Sequence, residues 1–173
     1  LFNIPTIITI SRILIIPVFI VVAMDDPLGG ALVFAIASVT DLLDGYLARR
    51  QKKVTKVGIL LDPIADKLLV ISALIILVDM TAVPAWIAII IILREFLVTG
   101  LRIVALSRNM MIPAESGGKI KTVAQVISII LLFIDRTTIS VDLYNAGIGI
   151  LTMAMFIGIV SGVRYFLLFW RRL

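Results

Sequence analysis

Six long apolar stretches constrain this chain before anything else does: Ile4–Met24, Leu28–Ala48, Ile59–Asp79, Val83–Leu106, Ile120–Ile134 and Leu143–Trp170. At 1.5 Å per helical residue, about 20 residues cross roughly 30 Å of hydrocarbon. In that solvent every backbone N–H and C=O must be satisfied within the segment, so each stretch is expected to be a helix. The alternating pattern of a membrane β-barrel is absent. With 61% hydrophobic residues, the chain falls outside the composition of an ordinary soluble domain. The expected fold class is therefore all-α, one integral membrane domain over residues 1–173 with six transmembrane helices. The first stretch lacks a small-residue cleavage site and is expected to be retained as a span rather than removed as a signal peptide.

Loop charges predict the orientation. Arg49, Arg50, Lys52, Lys53 and Lys56 follow the second stretch. Arg108 follows the fourth and leads to Lys119 and Lys121, and Arg171 and Arg172 close the chain. The intervening loops hold Asp25, Asp26, Asp79, Asp135 and Asp142, with Arg136 as their one base. The positive-inside rule then puts both termini in the cytoplasm of a multi-pass protein of the cell membrane. A net charge of +5 split among membrane loops offers no continuous surface for nucleic acid, which is excluded as a partner.

Against this apolar background stand Asp41, Asp44, Asp62 and Asp66. An aspartate at the centre of a membrane span costs roughly 2.5–3.5 kcal/mol on insertion scales, so four of them require a reason. Asp41, Asp44, Gly45 and Ala48 fall at i, i+3, i+4 and i+7, one face of a helix, and Gly58, Asp62 and Asp66 repeat at i+4 on the next. A short basic loop joins the two helices, so they are expected to be antiparallel neighbours with their acidic faces meeting near the cytoplasmic surface. The result is an oxygen-lined pocket. The chain has no His and no Cys, so a metal there must take oxygen ligands, which favours Mg²⁺, Mn²⁺ or Ca²⁺ over Zn²⁺. Pairing with Lys52, Lys53 or Lys67 would account for one or two of the acids, not for four on two stripes with small residues between them. A cation channel, carrier or divalent-metal transporter would also use intramembrane Asp, but explains neither the basic loop nor the Gly and Ala on the acidic face.

The skeleton Asp41-x-x-Asp44-Gly45-x-x-Ala48-Arg49, eight residues, Gly58-x-x-x-Asp62-x-x-x-Asp66 resembles the signature of the CDP-alcohol phosphatidyltransferase family at every fixed position. The resemblance implies six transmembrane helices, a homodimer, two bound divalent cations (Mg²⁺ or Mn²⁺), and transfer from a CDP-linked donor to an alcohol with release of CMP. By match, Asp41, Asp44, Asp62 and Asp66 would be metal ligands, and Asp66 also the base that deprotonates the acceptor. Gly45, Ala48, Arg49 and Gly58 would fall at nucleotide-binding positions. The chemistry suits the residues: two cations can clamp a pyrophosphate, and a carboxylate beside them can take the proton of a poorly nucleophilic alcohol.

Three further stretches resemble the phosphatidylglycerophosphate synthase branch of that family. Asn3-Ile4-Pro5-Thr6 through Thr9 and Arg12 is similar to its N-terminus, with Thr6 in place of the usual Asn. Asn3, Pro5, Thr9 and Arg12 would border the nucleotide. Arg12 taken alone is equally a snorkelling or bundle-pairing arginine. Arg94-Glu95 through Gly100-Leu101-Arg102, and Gly118-Lys119-Ile120-Lys121-Thr122, match the other two segments. Arginines suit the forked binding of phosphate, although Arg94 could instead pair with Glu95 and Arg102 snorkel to the surface. The resemblance implies that Arg94, Arg102, Lys119 and Lys121 hold the phosphate of the acceptor, glycerol 3-phosphate, while CDP-diacylglycerol is the donor and membrane lipid the surroundings. Cardiolipin or phosphatidylinositol-phosphate synthesis is the alternative within the class. Trp86, Tyr165 and Trp170 read as interfacial aromatics, and Gly147, Gly149, Gly158 and Gly162 as helix-packing positions.

Overall fold

The computed structural model describes residues 4–48, 56–108, 117–137 and 143–171; within these, the side chains of 4–12, 41–48, 56–66, 106 and 117–119 are outside the description. Among the described residues there are six α-helices and no strand: α1 Ile4–Asp25, α2 Pro27–Ala48, α3 Lys56–Asp79, α4 Ala85–Ser107, α5 Gly117–Asp135 and α6 Leu143–Trp170. Each expected apolar stretch is a helix. Of the described segments, α6, with 28 residues, is long and apolar enough to cross a membrane by length and composition alone. In α1 and α2 the parts whose side chains are described, Ile13–Asp25 and Pro27–Thr40, are apolar as well.

Local sequence sets the helix ends. Asp26 is the N-cap of α2, its carboxylate accepting from Leu28 N at 3.0 Å and Gly29 N at 2.9 Å, with Pro27 at the first helical position, where no N–H is needed. The end of α3 is closed by Thr81 N–H donating to Val78 O and Ala82 N–H to Leu77 O, both at 2.8–2.9 Å. That is the Schellman pattern, with Thr81 in the left-handed position (φ 56°) where glycine is usual. Pro84 then precedes α4, which therefore starts two residues later than the apolar run beginning at Val83. In the opposite sense, α5 begins three residues before Ile120 and takes Lys119 onto its first turn.

The core is apolar and closely set. Phe19 lies 5.8 Å from Phe34 and 6.0 Å from Phe133, ring centre to ring centre, the second pair edge-on at 85°. These rings join α1, α2 and α5. One turn from the first pair, Ala23 faces Gly30, so α1 and α2 pair antiparallel. A Cβ on Gly30 would stand 2.6 Å from that of Ala23, which is why the position is glycine. The most extensive contact is between α5 and α6, where buried Ser128 donates through Oγ to Gly147 O at 2.7 Å. Outward, the surface is also apolar: Leu14, Val21, Ile36, Leu97, Met153 and Phe156 are all more than half exposed.

Candidate functional site

The last two turns of α2 carry Asp41, Asp44, Gly45 and Ala48, and the first half of α3 carries Gly58, Asp62 and Asp66. Both segments are helical, so the spacing that the sequence suggested holds and each set shares one helix face. α2 and α3 are in contact, and both pack on α1. The chain between Ala48 and Lys56 reaches at most about 29 Å when extended, less than the ~33 Å length of the 22-residue α2. The two helices must therefore run in opposite directions, which brings the acidic end of α2 beside that of α3. Pro5, Thr9 and Arg12 lie on α1 at this same end of the bundle. Continuing the Ala23–Gly30 and Phe19–Phe34 register along the pair places Arg12 level with Asp41. The side chains of Pro5, Thr9, Arg12, Asp41, Asp44, Asp62 and Asp66 are outside the described residues, as are Asn3 and Arg49 entirely.

Beyond Asp66 the side chains are described, and a buried ionic cluster follows at once. Glu95 of α4 is its centre. Its Oε1 accepts from Lys121 Nζ of α5 and from Arg94 Nη1 at 3.1 Å, and its Oε2 accepts from Lys67 Nζ of α3. The side chains of Glu95 and Lys121 are 9% and 4% exposed. Arg94 is held from its other side by α6, with Nε donating to Gly158 O at 2.8 Å and Nη2 to Ser161 Oγ at 3.2 Å. Gly158 and Gly162 make room for it: a Cβ at either would come within 3.6 Å of Arg94 Nε, and at Gly158 within 3.2 Å of Lys121 Cδ. The packing role expected for these two glycines is thus packing around a charged group. Gly147 packs on Leu132, whereas Gly149 faces open space.

Among the described residues three basic side chains converge on this one carboxylate in a largely buried place, and Lys67 and Arg94 each have further interactions besides. Lys67 immediately follows Asp66 on α3, so the cluster begins one residue along the chain from the acidic motif. The structure brings two of the expected phosphate-binding residues together, Arg94 and Lys121. It leaves Arg102 exposed, about 12 Å further along α4. Lys119 is on the first turn of α5, its side chain outside the described residues. The sequence reading gave no functional role to Glu95, Lys67 or Ser161. A glutamate inside an apolar run was itself a signal for Glu95. Nothing in the sequence singled out Ser161, whose part depends on which turn of α6 meets Arg94.

Among the described residues no group of three or more acidic, His or Cys side chains could hold a metal. The four motif aspartates are not among those side chains. Their chemistry nevertheless fits a hard divalent cation, because carboxylate oxygens are the only anionic donors in a chain lacking His and Cys.

The sequence profile described as CDP-alcohol phosphatidyltransferase matches residues 2–163. The chain is similar to proteins named CDP-diacylglycerol–glycerol-3-phosphate 3-phosphatidyltransferase from three bacteria. It is 41% identical to that of Bacillus subtilis over 189 aligned residues, covering 100% of this chain and 98% of the relative. With that of Rickettsia bellii the identity is 40%, over 95% of this chain and 93% of the relative. With that of Haemophilus influenzae it is 41%, over 74% of each.

Proposed function

The chain belongs to the CDP-alcohol phosphatidyltransferase family, and on that premise we propose that it transfers the phosphatidyl group of CDP-diacylglycerol to glycerol 3-phosphate, giving phosphatidylglycerophosphate and CMP. The observation that carries this reading is similarity along the whole chain to relatives bearing that activity in their names, with every fixed position of the aspartate signature present.

Asp41, Asp44, Asp62 and Asp66 would hold two divalent cations, Mg²⁺ or Mn²⁺. When bound, such cations neutralise a pyrophosphate and stabilise its departing half. The residues around them do the rest. Asp66 accepts the proton of the acceptor hydroxyl as its oxygen bonds to the phosphorus that carries diacylglycerol, and the anhydride P–O bond to CMP breaks. Gly45, Ala48 and Gly58 let the nucleotide approach the backbone, with Arg49, Asn3, Pro5, Thr9 and Arg12 around it. Arg94 and Lys121, brought together at Glu95, receive the phosphate of glycerol 3-phosphate, with Lys119 and Arg102 nearer the entrance. The apolar outer faces of the helices support a multi-pass membrane protein, since exposed leucine, isoleucine and phenylalanine on this scale suit lipid rather than water. The loop charges support cytoplasmic termini and a site facing the cytoplasm. A homodimer completes the proposed assembly.

The test is CMP release by purified protein in detergent, given CDP-diacylglycerol and either Mg²⁺ or Mn²⁺. Glycerol 3-phosphate, inositol phosphate and phosphatidylglycerol would be offered separately. Release that needs glycerol 3-phosphate and stops on chelation is expected. Release with another acceptor would keep the class and discard the acceptor.

A further inference from the structure

A buried ion cluster is a poor device for stability. Well-packed apolar side chains of similar volume are commonly as stabilising or more so, while removal of one ionic partner is strongly destabilising. The retention of Glu95 at the meeting point of α3, α4 and α5 therefore asks for another reason, and its partners supply one. Arg94 and Lys121 are on the acceptor side of the site. Lys67 is the covalent neighbour of Asp66, so whatever fixes Lys67 fixes the backbone of the proposed base. Each cation is engaged by an identified oxygen of the one carboxylate, Lys67 by Oε2, Arg94 and Lys121 by Oε1. Arg94 is further clamped by Gly158 O and Ser161 Oγ. The ammonium groups of Lys67 and Lys121, on flexible four-carbon stems, are held to the two oxygens of this same carboxylate.

We propose that Glu95 is a positioning residue for the transfer reaction, tying the acceptor-side cations Arg94 and Lys121 to Lys67 and so setting the distance between the acceptor and Asp66. The inference rests on the function proposed above. A misplacement of about 1 Å between reacting groups can cost on the order of a hundredfold in rate. A tether of this kind therefore acts on kcat as well as on acceptor binding, and far less on the donor, whose nucleotide is held on α1, α2 and the start of α3 and whose cations have three further aspartates besides Asp66.

The experiment is steady-state kinetics of Glu95→Gln, which keeps the side-chain volume and removes the charge, alongside Lys67→Gln and the double variant. Loss of one charge-assisted hydrogen bond should raise the KM for glycerol 3-phosphate at least about tenfold, lower kcat, and change the KM for CDP-diacylglycerol far less. The double variant should be no worse than Glu95→Gln, because both substitutions cut the same tether. Glu95→Asp should recover part of the loss. Donor and acceptor KM rising in step, or neither moving, overturns the proposal, as would full additivity of the two substitutions. If Glu95→Gln is not recovered folded, Lys67→Gln decides alone by the same split, since its side chain is 27% exposed and less costly to replace. The wild-type arm separates the two readings. A wild-type protein active with another acceptor discards the functional reading, and the split is then read with that acceptor. A folded wild-type protein that releases no CMP with any acceptor overturns both.

Discussion

At the scale of single residues, the charges in this chain divide by what they can be exchanged for. Asp66 has no substitute if it takes the acceptor proton. A positioned general base contributes typically 10²–10⁴-fold, so Asp66→Asn should lower kcat by at least about a hundredfold while the protein still extracts as a folded species. Activity close to wild type would exclude Asp66 as the base. Thr81 is the reverse case, a residue the fold tolerates at a cost. It occupies the left-handed position that closes α3, with φ 56°, where a β-branched side chain crowds its own backbone. It is exposed and far in sequence from the acidic motif. Relief of that crowding, partly offset by the entropy of glycine, should make Thr81→Gly more stable by up to about 1 kcal/mol, read as a higher Tm in detergent with unchanged turnover.

Between elements, the glycines show how little of the packing could be foreseen. Gly30 touches Ala23 backbone and side chain: an added Cβ would lie 2.7 Å from Ala23 Cα, which cannot swing aside. Gly30→Ala should therefore force α1 and α2 apart, at a cost of about 1–3 kcal/mol. Gly149→Ala meets nothing within 4 Å and should be neutral or slightly stabilising. Thermal denaturation of the two variants side by side checks the contrast, and equal effects would mean that α1 and α2 do not pack as described. From the sequence, both were glycines in apolar helices. The helices themselves were legible because backbone satisfaction in an apolar solvent leaves one choice, and the face shared by Asp41, Asp44, Gly45 and Ala48 was legible because helical period fixes it. What faces that side was not. That Glu95 meets Lys67 and Lys121 as well as Arg94 depends on how three helices are rotated about their axes, and the weak amphipathicity of a chain apolar on both sides gives no period from which to read rotation.

For the molecule as a whole, the decisive property is direction across the bilayer. The CDP headgroup of the donor, glycerol 3-phosphate and CMP are all polar and need an aqueous side. The acidic ends of α2 and α3 adjoin in sequence the stretch of Arg49, Arg50, Lys52 and Lys53, whereas α5 ends at Asp135 and is followed by Arg136 and Thr137. The basic loop resists translocation, so it and the site should be cytoplasmic. The chain contains no cysteine, so single substitutions report position without background. In intact cells a membrane-impermeant thiol reagent should label Thr137→Cys and leave Lys53→Cys unlabelled, and permeabilised cells should label both. Labelling of Lys53→Cys in intact cells would turn the site outward, away from any cytoplasmic supply of glycerol 3-phosphate. The charge argument would then fail together with the orientation. The ionic cluster around Glu95 would survive that result, because it depends on which helices pack together and not on the side from which the substrate arrives.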